Sequence, residues 1–209
     1  MKALAFLSFA LGLLLGSCEP VNTGDSVNTG SSEAPRTVSK PGLERLLRKL
    51  PVVPLPLRYD LREEAPPSIE LEPMEQQLVS GDPAAESGIA LGILPDTSQV
   101  IHVLWLAAAD SWLPMISTFK RSGELLKVEG LIIGQCAPWD EPCFKCKETM
   151  SIDANYRVLA TDTVRECECD TAYTEVVGTC KRYVNVLTGL ITNKGVMMSP
   201  IRRAELPEE

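Results

Sequence analysis

Six cysteines crowd the 45 residues from 136 to 180, and their side chains offer the densest chemistry in this chain of 209 residues. Cys136, Cys143, Cys146, Cys167, Cys169 and Cys180 admit three chemistries: structural disulfides, a thiolate metal site, or a redox pair. Cys143-Phe144-Lys145-Cys146 has the C-x2-C spacing of a zinc knuckle, and Cys167-Glu168-Cys169 would complete four thiolates. That reading strands Cys136 and Cys180, and its second pair is C-x-C. A redox C-x2-C needs a helix N-terminus to lower its thiol pKa, whereas Pro142 here precedes an expected strand. Bridges are therefore favoured, and hairpin geometry suggests partners. Closing a turn at residues 153–155 brings Cys143 towards Cys167, closing the loop 170–178 brings Cys169 opposite Cys180, and Cys136 is left for Cys146.

Other catalytic chemistry is sparse. The chain has one histidine, so any imidazole scheme must pass through His102, which sits inside the apolar run Val100-Ile101-His102-Val103-Leu104-Trp105 and reads as a sheet residue. No phosphate loop, H-E-x-x-H or G-x-S-x-G motif occurs. A carboxylate pair such as Asp110 with Asp162 would suit general acid–base work, but no spacing brings the two together. No catalytic residue is named. Trp112 and Trp139 stand beside Pro114 and Pro138 in expected loops, as sheet-end caps or as anchors of a binding surface.

The elements that must hold these groups are mainly β. Residues 88–202 read as an antiparallel domain, a meander or sandwich of hairpins with disulfide staples. Ile89–Leu94 and Val100–Ala108 are apolar on both parities, as strands covered on both faces are. Leu113–Arg121 and Glu124–Val128 flank a Ser122-Gly123 turn, and Gly130–Gln135 extends the second arm. Cys146–Ile152 turns at 153–155 into Tyr156–Cys169, and Cys180–Leu187, Leu190–Thr192 and Val196–Met198 follow through turns at Thr188-Gly189 and Asn193-Lys194-Gly195. Residues 41–87 hold a short helix, Pro41–Pro51, with Leu43, Leu46, Leu47 and Leu50 on one face. They then run into an irregular, proline-rich acidic segment carrying Glu63, Glu64, Glu70, Glu72 and Glu75. The helix either lies on a membrane surface or caps the core with its leucines. Residues 203–209 read as a polar tail.

At the N-terminus, Lys2 precedes an apolar run from Ala3 to Leu15, then Gly16-Ser17-Cys18. This is the pattern of a secretory signal peptide, too short to span a bilayer. Leu15-Gly16-Ser17-Cys18 resembles the lipobox of bacterial lipoproteins. The resemblance implies that residues 1–17 are removed and that Cys18 begins the mature chain with acyl lipid on its thiol. No other cofactor is expected. One acyl chain anchors only marginally, so several are required. Removing Cys18 from seven cysteines leaves an even six, and an exported protein meets the oxidising conditions in which disulfides persist. Residues 18–40, with VNTG twice, read as a flexible linker.

The charge of −8 excludes a generic nucleic-acid binder. The ectodomain loosely resembles small β-rich envelope lipoproteins. The resulting expectation is a lipid-anchored protein of the bacterial cell envelope, non-enzymatic, binding an envelope partner or serving a structural role. An envelope hydrolase or thiol-redox enzyme and a cysteine-based metal module remain the alternatives.

Overall fold

The computed structural model describes residues 40–85, 87–136 and 141–207, all within the compact unit Glu33–Glu209. The signal peptide, Cys18, most of the linker and Trp139 lie outside the described residues.

The expected β architecture is found: two antiparallel sheets with two short helices and three disulfides. In chain order the elements are α1 (Lys40–Lys49), β1 (Leu57–Asp60), β2 (Ile69–Glu70), α2 (Pro73–Ser80), β3 (Gly88–Ile93), β4 (Val100–Ala108), β5 (Trp112–Lys120), β6 (Leu125–Gly130), β7 (Phe144–Ile152), β8 (Arg157–Glu166), β9 (Lys181–Thr192), β10 (Gly195–Met198) and β11 (Arg202–Glu205). The first sheet runs β2-β3-β4-β5-β6. The second runs β1-β7-β8-β9-β10, with β11 also paired to β9.

Three layers result. The main core lies between the sheets, where Leu91, Leu104, Leu106 and Ile116 of the first meet Met150, Ile152, Val158 and Ile191 of the second. On its other face the first sheet is roofed by the helices: Leu43, Leu46, Leu50 and Val79 pack on Ala90, Val103, Trp105 and Phe119. Cover on both sides is why β3 and β4 are apolar at both parities, and it gives the α1 leucines a core role. The second sheet has only its inner face in that core, so β7 and β8 alternate buried and exposed residues.

The proline-rich segment is more ordered than its composition implies. β1 is an edge strand antiparallel to β7, and α2 begins at Pro73, where the missing N–H costs nothing. Glu75 accepts the Glu72 backbone N–H at 3.1 Å and pairs with Lys49 at 2.7 Å, joining α2 to α1. It is therefore buried, unlike a solvated acidic face. Two further expectations are corrected. β9 continues through Thr188-Gly189 because Gly189 lies against Met198 and Val196, where a Cβ would come within 2.4 Å of Met198 Sδ. Residues 202–205 form β11, paired to Tyr183–Val186 of β9, so the polar tail begins later.

Gly92 makes the first sheet's junction with the segment after α1. Its φ is +143°, and an added Cβ would lie 2.3 Å from the Pro51 carbonyl oxygen, which accepts the Ile93 N–H at 2.9 Å. Gly92→Ala is expected to lower stability by about 2–3 kcal/mol in denaturant titration, since strain and lost pairing coincide.

Candidate functional site

The six clustered cysteines form three bridges: Cys136–Cys146, Cys143–Cys169 and Cys167–Cys180, with Cα separations of 5.2, 5.8 and 4.0 Å. Cys136–Cys146 is the pair that hairpin geometry left over. The other two exchange partners relative to expectation. The β7–β8 register pairs Ile152 with Val158 rather than Tyr156, because Asp153 and Arg157 close a longer turn with Tyr156 at φ 62°. Cys167 then donates its N–H to the Cys143 carbonyl at 2.8 Å. β8 ends at Glu166, however, and residues 168–179 fold into their own tight hairpin, with Val176 N–H on Glu168 O at 2.9 Å. That hairpin, not the ladder, delivers Cys169 to Cys143 and sets Cys180 beside Cys167.

A zinc knuckle is excluded by the same geometry. Cys143 stands in the turn just before β7 and Cys146 within β7, and each sulfur is used in a different bridge.

The outer face of the second sheet, which no described helix covers, carries an unusual set of charges. Odd-numbered residues of β7 and β8 and even-numbered residues of β9 point outward, so the register aligns Lys145, Arg165 and Arg182 as direct cross-strand neighbours. Lys147 and Thr163 form the next row. Like charges opposite one another destabilise a sheet unless something compensates. Here they line a cleft of about 560 Å³, with Arg62 of the β1 end at one side and residues 175–178 of the hairpin at the other. Among the described residues, five cations line it against a single carboxylate, Glu175, in a protein whose net charge is −8.

Arg165, Lys147 and Arg62 are held in place. Arg165 makes a two-pronged ion pair with Glu175, at 2.6 and 2.7 Å, and donates to Cys180 Sγ at 3.1 Å. The hydrogen bond from Arg165 lowers the Glu175 pKa, with Lys145 adding to the effect. Lys147 pairs with Asp60 at 2.7 Å. Burial alone would raise the Asp60 pKa, but Lys147 and the Arg62 backbone N–H outweigh it and the net shift is downward. Arg62 donates to the Cys146 carbonyl at 2.5 Å. Two disulfides fix the frame around these groups, so the side chains need little reorganisation to meet an anion.

The inner face of the same sheet holds a second polar cluster. Glu148, Asp162 and Asn185 are cross-strand neighbours on β7, β8 and β9, 1 %, 0 % and 3 % exposed. Glu148 Oε1 accepts the N–H groups of Ile133 and Gly134 at 2.6 and 2.9 Å, which pins the loop 131–136 over the cluster. Among the described residues, Glu148 Oε2 and both Asp162 oxygens meet no donor group, so a proton on Asp162 is what can join the two acids. Desolvation first, then the Glu148 charge and its hydrogen bond, push the Asp162 pKa up to about 8. Asn185 donates to Gln135 at 2.9 Å and accepts from Arg203, whose guanidinium lies 3.6 Å from the Tyr183 ring centroid. Cys136 Sγ lies within 4.8 Å of both acids, but a bridged sulfur is not a thiolate ligand. As a general acid and base the pair is sealed from substrate.

The remaining candidates fall into place. His102 is buried and its Nδ1 meets Thr118 Oγ1 at 3.0 Å; burial lowers its pKa against the opposing pull of Asp96 and Glu129. Asp110 is exposed in the β4–β5 turn, and the partner of Asp162 is Glu148. Trp112 is half-buried against the main core, its carbonyl accepting the Tyr59 hydroxyl at 3.0 Å. No described helix is long and apolar enough to cross a membrane.

The chain is thus a mainly β, antiparallel, disulfide-stapled domain with a basic cleft on one open sheet face. No family model matches it, and neither the curated proteins nor the solved structures contain a match.

Proposed function

We propose that this protein is a lipid-anchored lipoprotein of the bacterial cell envelope whose β domain binds an anionic partner without catalysing a reaction on it. The reading is carried by the basic cleft on the open face of the second sheet. Cations aligned by strand register in an acidic domain are a costly arrangement, and ligand binding is what such an arrangement serves. A cleft of about 560 Å³ suits a small anionic group rather than a nucleic-acid backbone.

The tether follows from the sequence. Cys18 carries the acyl chains, the residues after it give reach, and the membrane is the first partner. Three bridges in the described domain accord with export to an oxidising compartment.

Intact mass and membrane fractionation of the native protein test the anchor. The expected mass is that of residues 18–209 plus acyl lipid, less the six hydrogens lost to three bridges. Cys18→Ser is expected to remove the acyl mass and the detergent-phase partitioning while leaving the bridges formed. A native mass without lipid on Cys18 would defeat the lipoprotein reading.

A further inference from the structure

Glu175 occupies the basic cleft in the manner of a ligand. Its carboxylate takes both prongs of Arg165, which is how a guanidinium grips an oxyanion. It arrives on a hairpin tied by Cys167–Cys180 and Cys143–Cys169, on the arm that also carries the 96 % exposed Val177. Every charged strand residue that lines this cleft is a cation, and among the described residues the acidic lining residue comes from the hairpin. We propose that Glu175 is a built-in stand-in for a phosphate monoester, which binds by taking its place on Arg165. The inference rests on the reading of the cleft as an anion-binding site and names the ligand's chemistry.

Charge and geometry select phosphate over carboxylate. Replacing Glu175 by another carboxylate exchanges like for like on Arg165 and gains nothing. A phosphate monoester brings a second negative charge and a third oxygen. Lys145, directly beside Arg165 in the register and already acting electrostatically on Glu175, is placed to meet them, as is Lys147 in the next row. The displaced Glu175 side chain turns out to water, at small cost because the pair is partly exposed.

The test titrates the full-length, disulfide-bonded protein with inorganic phosphate at fixed low ionic strength, followed by amide chemical shifts. Glu175→Gln removes the competitor and is expected to tighten phosphate binding about fivefold, since a part-exposed ion pair no longer has to break. Arg165→Gln is expected to weaken it at least tenfold. Unchanged thermal midpoints and three intact bridges show that both variants are folded. Monomeric dihexanoyl phosphatidic acid in a parallel titration separates the two sources of such a group: tighter binding than phosphate assigns a lipid headgroup, and equal binding a soluble ester. If Arg165→Gln weakens binding but Glu175→Gln leaves it unchanged, the stand-in is overturned and the anion cleft survives. Were no variant to bind phosphate at all, both would fall.

Discussion

Asp162→Asn is expected to stabilise the protein, with a gain that grows as pH rises from 4 to 8. In the folded chain Asp162 keeps its proton up to about pH 8, because burial and the adjacent Glu148 carboxylate oppose its ionisation. In the unfolded chain it titrates near the ordinary 3.9. Between those values the folded state binds one more proton than the unfolded state, so stability falls with rising pH by about 1.4 kcal/mol per unit. The contribution is intact below pH 4 and is exhausted above pH 8. Asparagine does not titrate, and its amide donates to Glu148 Oε2 as the protonated acid does. The difference between variant and wild type should therefore be near zero at pH 4 and several kcal/mol at pH 8, read by urea denaturation at each pH. A flat difference across that range would show that Asp162 is ionised when folded.

Substitutions at Glu148 separate charge from hydrogen bonding. Glu148→Gln keeps an oxygen for Ile133 and Gly134 and removes the charge that suppresses Asp162, so stability near pH 8 rises. Glu148→Ala leaves those two N–H groups without an acceptor in a buried site, which costs on the order of 1–3 kcal/mol each. The two variants should move in opposite directions.

The covered sheet was legible because layers leave a periodic signature. β4 was readable to its ends, Val100–Ala108, since both its faces are buried. The acid pair was equally present in the pattern and passed over. Asp162 shares the parity of Val158, Ala160 and Val164, and Glu148 that of Cys146, Met150 and Ile152, so each is an acid on an apolar face. What joins them is the β7–β8 register, and a turn two residues longer than expected shifts every cross-strand neighbour. The same shift hid the Lys145-Arg165-Arg182 row. α2 was concealed differently: its prolines and glutamates read as irregular, although Pro73 and Glu75 are where a helix start would place them. Hairpin 168–179 carries Cys169 and Glu175 by local turn bonds, to which hydrophobic periodicity is blind.

Removing the Cys136–Cys146 bridge is the second large effect expected, because that bridge and the Glu148 carboxylate hold one loop from both ends. Residues 131–136 cover the acid pair, anchored at Leu131 in the core, at Ile133 and Gly134 by Glu148, and at Cys136 by sulfur. The sequence separation is 10, so the bridge restricts a short unfolded loop and contributes roughly 2–3 kcal/mol on chain entropy. Cys136→Ser with Cys146→Ser forfeits that amount. It has a second consequence that a simple staple would lack: with the loop freed, water reaches the acids, the desolvation that raises the Asp162 pKa relaxes, and its titration moves down from about 8. The double variant should thus be less stable at pH 4 by nearly the full loss of the bridge, yet lose less further stability on going to pH 8. Comparing its pH profile with that of Cys143→Ser/Cys169→Ser, whose bridge lies away from the acids, isolates the effect. Equal slopes in the two double variants would mean that the bridge does not seal the pair.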